Sequence, residues 1–322
     1  VVKVGILGTG FGRQHAELYK KMTGFEVVLI YGRDENKLRE INKTLNIETT
    51  TDIYEILKNE EIDLVDICLP TSLHTKWAIE ALKHHKHVFC ETPLSYQIDE
   101  GEEILNISEE YQRNVFVDLF YKFSTPHHIT INKIKNLEFG EVKSFRSYNR
   151  TAPNWGDLGL QKNVSDFHIH NFDFLIEILG MPENVLSNGI DLGDQSIAIT
   201  TLNYNNKFAV VESYTNLPKN SPFYIGFEVI CEQGSIKFDA EYGVNTKEEF
   251  VIYYSDGSKE VLNPQMKDDY EQVIHHISDC LEMKKKSGLL DITSAIQVIK
   301  IKDAVLKSLE AKKSIHIGGS LT

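Results

Sequence analysis

Residues 8–12 of this 322-residue chain read Gly8-Thr9-Gly10-Phe11-Gly12, directly after the apolar run VVKVGIL. Glycines between a strand and a helix suit one kind of chemistry. Gly8 permits a tight turn, Gly10 lets main chain approach a ligand, and the open N–H groups of the helix start, with its dipole, hold a diphosphate. The strand-to-helix setting separates a dinucleotide fingerprint from a chance run of glycines. The loop departs from G-x-G-x-x-G, because its third glycine comes one residue early and Arg13 takes the usual position; Gly12 is expected to serve the helix–strand contact. A second grouping, Asp166-Phe167-His168-Ile169-His170, lies far downstream. Imidazole titrates near neutral pH, so His170 suits a general base. Asp166 precedes it by four residues, about 40° round a helix, and can share its face and orient it. Asp173 is expected to support the helix. His168 and His170 are about 200° apart on a helix, so no shared metal ion is expected.

The tip of the second apolar run selects the coenzyme, since an acid there accepts from a ribose 2′-hydroxyl and repels a 2′-phosphate. Here the tip reads Tyr31-Gly32-Arg33. Gly32 stands where the acid would be, and Arg33 offers a planar donor fork suited to phosphate. NADP is favoured over NAD. Asp34 argues the other way unless it serves as the N-cap of the next helix.

The elements that must position these groups follow from periodicity. Short β-branched or apolar runs at 4–7, 27–31, 64–69, 88–90 and 115–119 alternate with amphipathic stretches such as 36–45, 72–83 and 97–111. That alternation builds βαβ units around a doubly wound parallel sheet. Beyond residue 122 a strand at 142–149, a helix at 166–179 and consecutive strands over 185–262 predict a largely antiparallel sheet, covered on one face by that helix and by helices at 270–284 and 292–311. The expected fold is α/β followed by α+β, with domains at 1–121 and 122–322.

Composition narrows the function. A formal net charge of −13 opposes binding to nucleic acid. The basic cluster 284–286 reads as a solvated helix end. No apolar run approaches the roughly 20 residues that cross a bilayer, and the opening VVKVGILG lacks the basic and small-residue marks of an export signal. The expectation is a cytoplasmic protein without membrane or nucleic-acid partners. Cys68, Cys90, Cys231 and Cys280 are scattered and read as reduced thiols.

The fingerprint with His15 after it, Pro70-Thr71-Ser72-Leu73-His74, the segment Lys86-His87-Val88-Phe89-Cys90-Glu91-Thr92-Pro93-Leu94, and Asp166 through Asp173 occur in that order. Together they resemble the glucose-fructose oxidoreductase, inositol dehydrogenase and rhizopine-catabolism (Gfo/Idh/MocA) family of NAD(P)-dependent oxidoreductases, over nearly the whole chain. The resemblance implies an N-terminal Rossmann domain and a homodimer or homotetramer. It also implies hydride exchange between a nicotinamide and a sugar, inositol or related polyol or keto substrate. Coenzyme contacts are implied at Pro70, Thr71, His74, Glu91 and Pro93, and His170 is placed beside the substrate. The family's E-K-P maps onto Glu91-Thr92-Pro93, so threonine replaces the lysine usually assigned to catalysis. Either another cation substitutes, with Lys122 and Lys162 as candidates, or catalysis is slow, or the chain is a dinucleotide-binding regulatory protein. Tyr121 offers a phenolic donor, and Asn154 and Trp155 lie on a loop where a sugar ring could stack.

Overall fold

Six strands, β1 (Val2–Leu7), β2 (Phe25–Tyr31), β3 (Glu48–Thr50), β4 (Leu64–Ile67), β5 (His87–Cys90) and β6 (Val115–Val117), form a sheet in the order β3-β2-β1-β4-β5-β6. All neighbours in it are parallel. Helices α1 (Phe11–Lys21), α2 (Glu35–Leu45), α3 (Ile53–Leu57), α4 (His74–Lys83) and α5 (Ile98–Glu110) make the crossovers. Parallel strands covered on both faces read as continuous apolar runs, and β4 is buried throughout, with Asp66 as its one acid. Local sequence sets the helix starts. Asp34 Oδ1 accepts from the amides of Asn36 and Lys37 at 2.9 and 3.2 Å, and Gln97 with Glu100 forms a capping box at α5. The strand order reverses between β1 and β4, which opens a crevice at the carboxyl ends of the strands.

The computed structural model describes residues 1–154 and 156–318. A second sheet runs β14-β13-β12-β11-β7-β10-β9-β8-β15. Its members are β7 (Val142–Arg150), β8 (Asn184–Asp191), β9 (Ser196–Tyr204), β10 (Lys207–Tyr214), β11 (Phe223–Cys231), β12 (Gly234–Tyr242), β13 (Lys247–Tyr254), β14 (Lys259–Leu262) and β15 (Ile315–His316). Every pairing is antiparallel except β7 with β10. Alternate residues of β7 and β9 are buried, the period-two pattern of a sheet with one covered face. Helices α6 (Thr125–Lys135) and α8 (Ile169–Leu179) bury Ile131, Phe172, Phe174 and Leu175 in the same core as Phe145 and Phe227 of that sheet. The short α7 (Leu160–Lys162) precedes a π-helical turn, Asn163–Phe167. The helix expected to begin at Asp166 therefore begins at Ile169, and a wider turn carries Asp166.

The chain forms two units, Val1–Phe120 with Lys267–Ile296 and Tyr121–Met266 with Gln297–Thr322. This corrects the single division at 121/122. Helix α9 (Asp269–Glu282) was expected to cover the C-terminal sheet, but it belongs to the first unit, where it buries Val273, Ile274 and Ile277. Asn114 Nδ2 donates to the carbonyl of Lys285 at 3.0 Å, and Phe116 bridges Asp291, so the segment after α9 is tied to the β6 edge. Helix α10 (Ile292–Ala311) contributes Ile296 to the first core and Val298, Ile301 and Val305 to the second.

In the second unit Lys122 is fully buried, and its Nζ donates to Asp173 Oδ1 at 3.0 Å with Glu177 at 3.8 Å. Burial pushes the Asp173 carboxyl up to about 6, against the pull of Lys122. Removing one member of a buried pair leaves an uncompensated charge. Lys122→Ala is expected to cost about 3–5 kcal/mol at pH 8 in urea denaturation. The difference from wild type should shrink below about pH 6, where Asp173 takes up a proton.

Candidate functional site

A cavity of about 450 Å³ opens at the carboxyl ends of β1, β2, β4 and β5. Its floor is the fingerprint turn: Gly8, Thr9, Gly10 and Phe11 line it. Gly8 has φ +120°, and a Cβ there would stand 2.3 Å from the Cys68 carbonyl oxygen, so residue 8 must be glycine. A Cβ on Gly10 would meet nothing within 4 Å, which leaves the main chain open to a ligand. Gly12 lies beneath, where a Cβ would be 2.8 Å from Ile6; this close helix–strand approach is the role expected for the early third glycine. No side chain caps the start of α1 and no acid occupies its first turn, so that dipole end is presented to the cavity.

The rim comes from three strand tips. Tyr31, Gly32 and Arg33 follow β2; Cys68, Leu69, Pro70 and Thr71 follow β4; Glu91 and Thr92 follow β5. A Cβ on Gly32 would approach Thr9 Cγ2 to 2.5 Å and Leu38 Cδ2 to 3.0 Å, so an acid at that position requires those side chains to shift. Asp34 is spent as the α2 cap, while Arg33 is exposed at the rim. His74 and Pro93 do not line the cavity. The His74 ring joins the two loops beside it, with Nδ1 2.8 Å from the Pro93 carbonyl oxygen and Nε2 2.6 Å from that of Leu69. Burial lowers its pKa.

Behind the rim lies a buried polar network of which motif reading singled out only His15 and Glu91. His15 Nδ1 stands 2.9 Å from Asp66 Oδ2 and its Nε2 3.2 Å from Glu91 Oε1. The Tyr19 hydroxyl and the Cys68 thiol donate to Asp66 at 3.1 and 3.3 Å. Burial opposes a charge on His15, but the Cys68 sulfur and the Asp66 carboxylate outweigh it and hold the imidazole well above its ordinary range. Asp118, just past β6, is buried with neither oxygen hydrogen-bonded among the described residues; burial and then Glu91 push it well above the carboxylate range. Among the described residues His15, Cys68 and Glu91 offer donor atoms within 4.8 Å of one another. Both ring nitrogens of His15 already face carboxylates, which makes the group an ion-paired network. An acid inside the apolar run of β4 was the signal available in sequence, since a buried acid needs partners.

The second unit holds the other candidates. His170 stacks on Tyr121 with ring centroids 5.0 Å apart, and burial lowers its pKa to about 3. Tyr121 donates to Asn149 Oδ1 at 3.2 Å. Asp166 sits in the π-helical turn, where burial raises its carboxyl to about 6 against the pull of Lys162. His168 points elsewhere: its Nε2 lies 2.6 Å from Ser213 Oγ in the interior, and burial brings it to about 3. Lys162 pairs with Asp157 at 2.5 Å. Asn154 is exposed, and Trp155 lies outside the described residues.

A larger cavity, about 850 Å³, occupies the opposite ends of β4 and β5 near Asp63 and His87. Lys86 there donates to the carbonyls of Asn59 and Ile62, and Arg113 to that of His85. These cations satisfy main-chain acceptors, and ligands of doubly wound sheets bind at the other edge.

A glycine turn cradling the carboxyl edge of a reversing parallel sheet defines a dinucleotide-binding Rossmann domain. Residues 2–119 match the Gfo/Idh/MocA model, described as an oxidoreductase family with an NAD-binding Rossmann fold. Over those residues the first unit is similar to that family's NAD-binding domain. It is 28% identical over 236 residues to an oxidoreductase of Streptococcus pneumoniae serotype 4, covering 66% of this chain and 62% of that one. It is 26% identical over 202 residues to myo-inositol 2-dehydrogenase of Thermotoga maritima, covering 61% and 60%. The match to scyllo-inositol 2-dehydrogenase (NADP(+)) of Bacillus subtilis is 23% identical and covers 98% and 96%. The first two alignments thus take in less than two thirds of the relatives' length. A solved oxidoreductase from Agrobacterium radiobacter, in complex with NAD+, L-tartaric acid and magnesium, shares the fold with TM-score 0.84 at 17% identity, covering 98% of each chain.

Forcing a side chain onto residue 8 strains the backbone by about 1–3 kcal/mol. Gly8→Ala should therefore weaken dinucleotide binding in calorimetric titration by roughly tenfold or more. An unchanged affinity would mean that the turn does not carry the ligand.

Proposed function

We propose that the protein is an NADP(H)-dependent dehydrogenase or reductase that exchanges hydride with a CH–OH carbon of a sugar, inositol or related polyol. The observation that carries the reading is the open glycine cradle with the free start of α1 above it. The coenzyme supplies the hydride acceptor or donor. Thr9, Gly10 and Phe11 would hold the diphosphate through main-chain N–H groups, and Pro70, Thr71, Glu91 and Thr92 would bound the nicotinamide half. Arg33 would take the 2′-phosphate, because Gly32 and the capping Asp34 leave no acid for a 2′-hydroxyl. His170 is the acid/base: a neutral imidazole at physiological pH accepts the hydroxyl proton as hydride leaves. Asp166 supports it or contacts substrate hydroxyls.

The inositol dehydrogenases among the relatives favour a polyol substrate. A homodimer or homotetramer is proposed, with Ile199, Phe208 and Ile230 exposed on the second sheet; light scattering reads the mass. No described helix is long and apolar enough to cross a membrane.

Screening NADPH oxidation over keto-inositols and keto-sugars tests the activity. His170→Ala should lower kcat by about 10²–10⁴, and unchanged turnover sinks the assignment of the base. Arg33→Ala should weaken NADPH far more than NADH, and equal losses sink the NADP reading. Asp166 is neutral below about pH 6 and charged above it, so activity should fall as pH drops through that value, and Asp166→Asn should remove this limb.

A second reading follows from Thr92, which lines the cavity without a charge, and from Lys122, whose charge is engaged by Asp173. On that reading the chain binds dinucleotide as a regulatory protein. Activity gained by Thr92→Lys in a silent parent supports it; activity in the parent that Thr92→Lys abolishes supports the enzyme.

A further inference from the structure

The proposed reaction leaves unused the charged network beneath the β4 and β5 tips. With the adenosine ribose at the tip of β2 and the diphosphate over β1, the strand order places the other half of a dinucleotide over β4 and β5, where Glu91 and Thr92 line the cavity. Glu91 Oε2 accepts from the Thr92 amide at 3.3 Å, and its Oε1 meets His15 Nε2 at 3.2 Å. The imidazole is fixed from behind by Asp66 on Nδ1 and stacked on Phe89 with centroids 5.6 Å apart.

We propose that His15, ion-paired through both ring nitrogens, is a positioning residue that neutralises Glu91 beneath the nicotinamide and thereby sets the relative affinity for oxidised and reduced coenzyme. The inference rests on the dinucleotide reading of the cavity. Oxidised nicotinamide carries a positive ring charge and reduced nicotinamide does not. A bare carboxylate beneath the ring favours the oxidised form, and a carboxylate balanced by an imidazolium favours it far less. Thr92 contributes no charge to offset Glu91. The other groups facing His15 are Asp66 and Cys68 from β4, Tyr19 from α1, Asp118 beyond β6, and Tyr270 of α9, whose ring centroid lies 5.7 Å away; Asp269 acts on Asp118. Burial raises the pKa values of Tyr19, Cys68, Asp118 and Tyr270. The His15 ring lies between the Asp66 and Glu91 carboxyls, so the proton it carries bears directly on the field at the rim.

The test is equilibrium titration of the full chain with NADP⁺, NADPH, NAD⁺ and NADH, comparing wild type with His15→Asn, Glu91→Gln and the double variant at neutral pH. His15→Asn is expected to shift the Kd ratio toward the oxidised form by about tenfold. Glu91→Gln should shift it the other way, and the double variant, which loses one charge of each sign, should lie between the two single variants. In wild type the ratio should drift toward the oxidised form as rising pH deprotonates His15, and in His15→Asn it should not. An identical ratio in folded wild type and His15→Asn overturns the proposal. If His15→Asn does not fold, Glu91→Gln decides, and an unmoved ratio overturns it equally. A wild type that binds none of the four coenzymes fails the cavity reading instead.

Discussion

Residue 8 can carry no side chain, and the first unit is arranged around that restriction. The Gly8 amide donates to the Tyr31 carbonyl at 3.0 Å, the Cys68 amide to Leu7 at 2.9 Å, and the Gly32 amide to Thr50 at 3.1 Å, so neighbouring strand tips are stitched at one level. With Gly8 pressed on the Cys68 carbonyl, the chain must turn at once into α1, and its N-terminus points across the crevice where the strand order reverses. The same turn brings His15, one helical turn further on, against Asp66. The anion cradle and the buried network are two faces of one steric fact.

The two units handle interior charge differently. Lys122 and Asp173 neutralise each other at 3.0 Å in full burial, an arrangement that adds little net stability but makes the loss of either member costly. In the first unit three carboxyl groups, Asp66, Glu91 and Asp118, surround a single imidazole. Two are matched by that ring and by donors from Tyr19, Cys68 and the Thr92 amide, and burial pushes the third, Asp118, toward its protonated form.

Much of this was legible in the sequence because the requirements are local. The fingerprint, the Asp34 cap and the buried β1 and β4 each follow from a few adjacent residues. Strand β3 and helix α3, three and five residues long, leave too little length for a period to register. The amphipathic face of α9 announced that it would be buried but not against which sheet, and it joined the first. The π-helical turn under Asp166 and the bond from His168 to Ser213, 45 residues away, depend on packing that no window contains. Asp66 inside the apolar β4 run was a visible anomaly, but its partner His15 lies 51 residues away along the chain.

His74 carries a consequence of its own. Each of its nitrogens faces a carbonyl, Pro93 on one side and Leu69 on the other, and burial keeps the ring from charging. A neutral imidazole has one hydrogen to give. Two segments bordering the coenzyme crevice therefore share a single proton, and whichever tautomer is present fastens one of them while leaving the other carbonyl facing a lone pair.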